Sequence, residues 1–429
     1  MMYYSLQQQA PEVSFKEAAL RGIAPDRGLY FPRQIPRFSD EFWRDLPKKD
    51  FLESAQELMQ VFTGDSIPYL KLREILERTL SFEFPLIPLE DSISVLELFH
   101  GPTMAFKDVG ATFMAGCLGY FSGQTDLKTV VLVATSGDTG GAVARGFLNV
   151  PGVEVVILYP KDKVSDIQER QLTTLGANIR ALRVQGTFDD CQAMVKRAFQ
   201  DPVLFENQAL TSANSINIAR WLPQMLYYVR AVQQLPPEAA PPVFSVPSGN
   251  FGNLCAGLLA SRMGMPAGHF IAATNSNDTI PRYMESRHYD PHPAVASLSN
   301  AMDVADPSNF VRILELFEND FQKLGSILSA YSFTDAQTLK AMETLFNTFK
   351  YTADPHGAVG YLGLVRYLED HPDRTGIFLE TAHPIKFRET VETCLDLELE
   401  LPMQIRGLLD REKVFSDIGT YEELREALR

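Results

Sequence analysis

Cysteine, tryptophan and positive charge are all scarce in this chain. Its 429 residues include four cysteines and two tryptophans, and 39 lysines and arginines stand against 54 acidic residues, a net charge of −15. Cys117, Cys191, Cys255 and Cys394 lie too far apart for a zinc or redox motif, so they read as reduced thiols of a cytoplasmic protein. No run of Lys and Arg offsets the acidity, which argues against a nucleic-acid partner. Long apolar runs are also missing. Stretches such as Val130 to Ala134 fall far short of the roughly 20 residues a membrane span needs, so no membrane association is expected. The start, Met1-Met2-Tyr3-Tyr4 followed by glutamines, lacks the basic-then-apolar order of a secretory signal. Seven histidines, among them His288, His292, His356 and His383, show no ligand spacing, and no metal site is expected.

What remains is ordinary globular material, 45% hydrophobic and 22% charged, long enough for about two or three domains. The first 85 residues read as a mainly helical extension, with a short helix over 14–20 and helical spacing over 57–80. A strand is expected at 93–99. Strands then alternate with helices: strands at 128–134, 153–159 and 178–184, helices at 142–148, 164–175 and 188–199. A long helix over 216–234 leads through a proline-rich connector to strands at 243–246, 269–274 and 375–380, with helices at 254–263, 309–318, 336–349 and 359–368. Apolar strands alternating with helices imply parallel sheets covered on both faces, hence an α/β protein. The expected division is a small, mobile βαβ lobe over 126–209 and a large lobe made of 86–125 and 210–429.

Three turns follow predicted strands, where open α/β sheets bind ligands. Ser248-Gly249-Asn250-Phe251-Gly252-Asn253 opens a helix and can converge backbone N–H groups on an anion, although it fits neither a dinucleotide fingerprint nor a nucleotide P-loop. Thr135-Ser136-Gly137-Asp138-Thr139 offers hydroxyls at another helix start, suited to a carboxylate or to plain helix capping. Between His100 and Asp108 a single lysine, Lys107, sits among small and apolar residues; such surroundings disfavour its charge and make the amine nucleophilic toward an aldehyde. Taken singly, each has a plainer structural reading. Together, a reactive lysine, an anion cup and an oxyanion loop suit pyridoxal 5'-phosphate held on the lysine as a Schiff base.

The same segments, with Arg27-Gly28-Leu29-Tyr30, Asn214-Ser215-Ile216-Asn217, Asp354-Pro355-His356-Gly357-Ala358 and Thr381-Ala382-His383-Pro384, resemble the threonine synthase family over nearly the whole chain. The resemblance implies the tryptophan synthase β-like fold (fold type II of pyridoxal-phosphate enzymes) and conversion of O-phospho-L-homoserine and water to L-threonine and phosphate. It implies that Lys107 carries the cofactor and moves protons, that Ser248 to Asn253 hold its phosphate, and that Thr381 bonds its ring nitrogen. Thr135, Ser136, Gly137, Asp138 and Thr139 would grip the substrate carboxylate. The substrate phosphate needs cations, and Lys161, Lys163, Arg220 and Lys386 are the candidates. A related lyase ending at a 2-oxo acid could use identical cofactor and carboxylate motifs, whereas an inactive binding protein on this fold would have no use for Lys107.

Overall fold

The computed structural model describes residues 1–124, 127–205 and 208–429. Its strands are β1 (Met2–Ser5), β2 (Val13–Ser14), β3 (Tyr30–Pro32), β4 (Leu86–Glu90), β5 (Ile93–Glu97), β6 (Lys128–Ala134), β7 (Val153–Pro160), β8 (Ile179–Val184), β9 (Gln208–Ser212), β10 (Val243–Pro247), β11 (His269–Thr274), β12 (Leu328–Ser332), β13 (Gly376–Glu380) and β14 (Ser416–Ile418). They form three sheets. A small antiparallel one, β2-β1-β3, joins the helices Phe15–Arg21, Phe51–Thr63 and Tyr69–Thr79 in the N-terminal portion. The helical spacing over 57–80 is thus two helices, parted where Gly64 turns at φ +52 and Pro68 follows.

The large sheet has the order β12-β11-β10-β13-β5-β4 and is parallel except at its β4 edge. The second has the order β14-β8-β7-β6-β9 and is parallel throughout. Alternate residues of the second sheet enter two different cores, as the two-residue period of a strand requires. Val131, Val133, Val155 and Ile157 join the main core, which also holds Phe121, Trp221 and Phe244. Val130, Leu132, Val156 and Leu158 pack with Cys191, Tyr421 and Leu424 in a separate cluster.

That cluster corrects one boundary. The expectation that 210–429 belongs wholly to the large lobe does not hold at its end, because β14 pairs with β8 and Tyr421, Leu424 and Leu428 complete the smaller core. Arg183 with Asp417, Arg197 with Glu422, and Lys413 with Asp166 and Glu169 fasten the same tail to the smaller lobe. β9 likewise runs past 209 and pairs with β6. The expected helix over 216–234 is three pieces: Ile218–Trp221, a 3₁₀ turn at Leu222–Gln224, and Met225–Gln234. Pro223 has no N–H to give an α-helix interior, and the chain tightens there.

Candidate active site

β10, β13 and β5 are adjacent in the large sheet, so the segments after them emerge side by side at its carboxyl edge. These are 248–253, 381–387 and 98–107, which between them hold every residue expected to touch the cofactor. Backbone bonds join two of them directly: Phe106 N–H donates to the Thr381 carbonyl at 2.9 Å, and His383 N–H to that of Met104 at 3.1 Å.

Lys107 is the first residue of the helix Lys107–Ser122. Its side chain is 17% exposed, with Nζ 3.6 Å from Asp138 Oδ2. Burial holds its pKa below the ordinary lysine value; Asp138 opposes that shift, while Lys386 and Arg220 reinforce it. Next to it, the buried Asp108 carboxylate accepts the Thr103 N–H at 2.9 Å and the Thr103 hydroxyl at 2.5 Å, closing the loop that delivers the lysine.

The 248–253 turn leads from β10 into a helix. Phe251, at φ +60, leads into the helix Gly252–Arg262, whose first N–H groups receive no side-chain cap. Gly249 lies so close to the chain at 302 that a Cβ would sit 2.7 Å from Met302 Cα. Ser248 Oγ donates to the Val246 carbonyl at 2.8 Å, and Asn250 Nδ2 to Ser215 Oγ at 2.6 Å. Asn253 Oδ1 accepts from the Tyr228 hydroxyl at 2.8 Å. Its buried Nδ2 finds no acceptor among the described residues. Thr381, buried at the end of β13, completes this side.

The smaller lobe contributes the turn after β6. Its helix begins at Asp138 rather than at 142, so Asp138 and Thr139 of the expected turn, with Gly140 and Gly141, form the first helical turn. Thr135 Oγ1 accepts the N–H groups of Gly137 and Gly140, both at 2.9 Å, and so shapes the loop. Ser136 and Thr139 remain partly exposed. Gly137, at φ +139, rests against Gln168, where a Cβ would fall 2.5 Å from Cδ. Asp138 is buried and turned toward lysines: Oδ1 is 2.8 Å from Lys386 Nζ and accepts Gln168 Nε2 at 3.0 Å. Burial alone would raise its pKa, but the two ammonium groups hold it well below the usual carboxylate range.

Arg220 is buried behind Lys107, where burial pulls its pKa down to about 10. One Nη donates to the Ala213 carbonyl at 2.5 Å, while Nε has no acceptor among the described residues. Lys386 is fully buried, whereas Lys161 and Lys163 follow β7 on the smaller lobe with Lys163 exposed.

Several contributors lie away from the residues expected to touch cofactor or substrate. Arg312 is completely buried and donates to the carbonyls of Tyr30, Ser215 and Ile216 and to Asn309 Oδ1, tying the 214–217 segment to the N-terminal portion. Gln168 and Gln171, one helical turn apart, brace Asp138 and Lys386. Behind Thr381, Glu380 accepts the Asp354 N–H at 2.8 Å, and His356 Nδ1 donates to Asp354 Oδ2 at 2.6 Å while its Nε2 accepts from Ala301 N–H.

Known proteins resemble this chain along almost its whole length. The sequence profile of the pyridoxal-phosphate dependent enzyme family matches residues 86–379. Profiles for the threonine synthase N terminus and the threonine synthase C-terminal region match 2–80 and 357–428. The threonine synthase of Escherichia coli (strain K12) is 44% identical over 411 residues, covering 96% of this chain and 95% of its own. The crystal structure of threonine synthase from Escherichia coli superposes with a TM-score of 0.92 at 43% identity, covering 100% of this chain and 99% of that one. The PLP-bound threonine synthase from Brucella melitensis gives 0.93 at 34% identity, covering 100% and 98%. The architecture is fold type II of the pyridoxal-phosphate enzymes. With that fold, and with relatives matched along almost its entire length, the chain belongs to the threonine synthase family of pyridoxal-phosphate-dependent enzymes.

Proposed function

We propose that the enzyme converts O-phospho-L-homoserine and water to L-threonine and phosphate, and does so in the cytoplasm. The observation that carries this reading is the convergence of Lys107, the 248–253 cradle and Thr381 at the ends of three adjacent strands. The residues fit the cofactor. An uncapped helix start and the unpartnered Asn253 amide suit its phosphate, and a largely buried amine of lowered proton affinity suits its aldehyde. The free thiols Cys117, Cys191 and Cys255, all buried, are in keeping with a reducing compartment.

When bound, the cofactor supplies an electron sink for the electron pairs left at carbon by proton loss. The chain does the rest. Lys107 Nζ would hold the cofactor covalently; as a free amine it would take the Cα proton, pass it to the departing phosphate while taking one from Cβ, give that one to Cγ, and carry a proton of the water that adds at Cβ back to Cα. Burial lowers the proton affinity of this amine, which eases the release of each proton it takes up. Ser248, Gly249, Asn250, Phe251, Gly252 and Asn253 hold the cofactor phosphate, and the neutral Thr381 hydroxyl meets the ring nitrogen. Ser136, Gly137 and Thr139 present hydroxyls and helix-start N–H groups to the substrate carboxylate, with Thr135 shaping the turn and Asp138 orienting it. The Arg220 guanidinium, whose Nε has no acceptor among the described residues, takes the leaving phosphate. We assign to the smaller lobe, which includes the 413–428 tail, a closure that keeps water away until Cβ is ready for it.

The test is incubation with O-phospho-L-homoserine, assaying threonine and phosphate together. Equal yields are expected; a 2-oxo acid and ammonia in place of threonine would overturn the reading. Borohydride reduction and peptide mapping should put the cofactor on Lys107, and Lys107→Ala should abolish both label and turnover with the fold intact.

A further inference from the structure

Asp138 stands between two ammonium groups, and only one of them is Lys107. The other, Lys386, lies in the 3₁₀ turn Pro384–Phe387 that follows β13 on the large lobe, and its side chain is 0% exposed. An ammonium group has three protons, and Lys386 has three acceptors: Asp138 Oδ1 at 2.8 Å, the Thr103 carbonyl at 2.9 Å and Gln171 Oε1 at 3.0 Å. The acceptors come from both lobes. Asp138 opens the helix after β6, Gln171 lies on the helix Asp166–Thr173, and Thr103 belongs to the large-lobe loop that ends at Lys107. Gln171 Nε2 also donates to the Thr103 carbonyl at 3.1 Å, which closes the network.

Lys386 entered as a candidate for the substrate phosphate, yet every donor it has is committed to a buried acceptor. The geometry points to a different role: Lys386 is a positioning residue that latches the 135–141 turn of the smaller lobe onto the large lobe and acts as the permanent counter-ion of Asp138. The chemistry requires one. In the proposed reaction Lys107 changes both its bonding and its proton count, so its charge toward Asp138 cannot be constant. A buried carboxylate left without a cation is strongly unfavourable and would drive the turn out of place. Lys386 keeps Asp138 paired throughout. It also adds, with Arg220, a positive charge facing Lys107 against the single negative one of Asp138. The inference rests on the reading that the 135–141 turn grips the substrate carboxylate.

The experiment uses the holoenzyme and the cofactor-free protein of Lys386→Gln. L-threonine, an amino acid without phosphate, reports on the carboxylate grip through its effect on the cofactor absorbance; inorganic phosphate, as an inhibitor, reports on the phosphate site. The Kd for L-threonine and the KM for phosphohomoserine should both rise about 10-fold or more, while the phosphate inhibition constant stays within about two-fold. Backbone amides of 136–141 should exchange hydrogen faster in the cofactor-free variant. The visible absorbance should titrate at higher pH, since one of the cations opposing protonation near Lys107 is gone. A weakened phosphate constant with L-threonine binding unchanged would make Lys386 a phosphate anchor and overturn the proposal, as would unchanged exchange at 136–141. Should the single variant not fold, Asp138→Asn with Lys386→Gln removes both charges together, and the same exchange and phosphate readouts apply. If the native enzyme forms no threonine the proposed reaction fails, but the exchange measurement still decides whether the latch exists.

Discussion

Glu380→Gln should stabilise the protein progressively as pH rises, because the native glutamate is held protonated at a pH where the unfolded chain has released its proton. Glu380 ends β13 and is fully buried. Oε1 accepts the Asp354 N–H at 2.8 Å; Oε2 has no partner among the described residues and is pressed against Gly357, where a Cβ would collide with it. Burial first, then the neighbouring charge of Asp354, raises its pKa well above the usual carboxylate range. The sign follows from proton counting. Above the unfolded value the native state binds one proton more than the unfolded chain, so stability falls with rising pH by about 1.4 kcal/mol per unit, up to the raised native value. Glutamine has the same shape, keeps the acceptor for Asp354 N–H and does not titrate.

The gap between variant and parent should therefore widen by about 1.4 kcal/mol for each pH unit above the unfolded value, until the raised native value is reached. With an unfolding entropy of about 2.1 cal/mol/K per residue, a chain of 429 residues unfolds with about 0.9 kcal/mol/K, so the gap in Tm should grow by about 1.5 °C per pH unit over that range. Thermal unfolding of both cofactor-free proteins at a series of pH values measures it, and titrations common to the two cancel in the difference. A Tm gap that is constant with pH would refute the argument, since Glu380 would then titrate alike in the folded and unfolded chains.

Three further outcomes follow from the site. Arg312→Met strips the donor from three carbonyls and from Asn309 Oδ1, and should cost about 3 kcal/mol or more, read as a lowered urea midpoint; an unmoved midpoint would show that those carbonyls find other donors. Asn253→Ala removes the unpartnered amide of the cradle and should weaken cofactor retention about 10-fold in equilibrium dialysis while Lys107 is still labelled by borohydride. Thr381→Ala should lower kcat with cofactor capture preserved, and an unchanged rate would remove its proposed role.

What the sequence disclosed and what it concealed divide on physical lines. β6 was legible to the residue, because a strand covered on both faces is a continuous apolar run that no other element imitates at that length. The segments after β5, β6 and β10 were legible for a related reason: they lie where parallel strands end, and the latter two are short, polar and rich in glycine. The helix beginning at Asp138 was hidden by Gly140 and Gly141, which read as turn. Gly140 is there because Thr135 and Leu172 leave no room for a Cβ, a demand of packing and not of local conformation. β14 was hidden more deeply. Ser-Asp-Ile has no strand pattern, and only its place beside Leu182–Val184 makes it one. Lys386 shows the general case. A lysine near an expected oxyanion site invites assignment to the anion, and nothing in its neighbourhood along the chain contradicts that. Its real partners come from around positions 103, 138 and 171, and they meet only when the two lobes do. Local chemistry can be read from local sequence, whereas a group whose work is to hold two lobes together is visible only in the partners that folding brings to it.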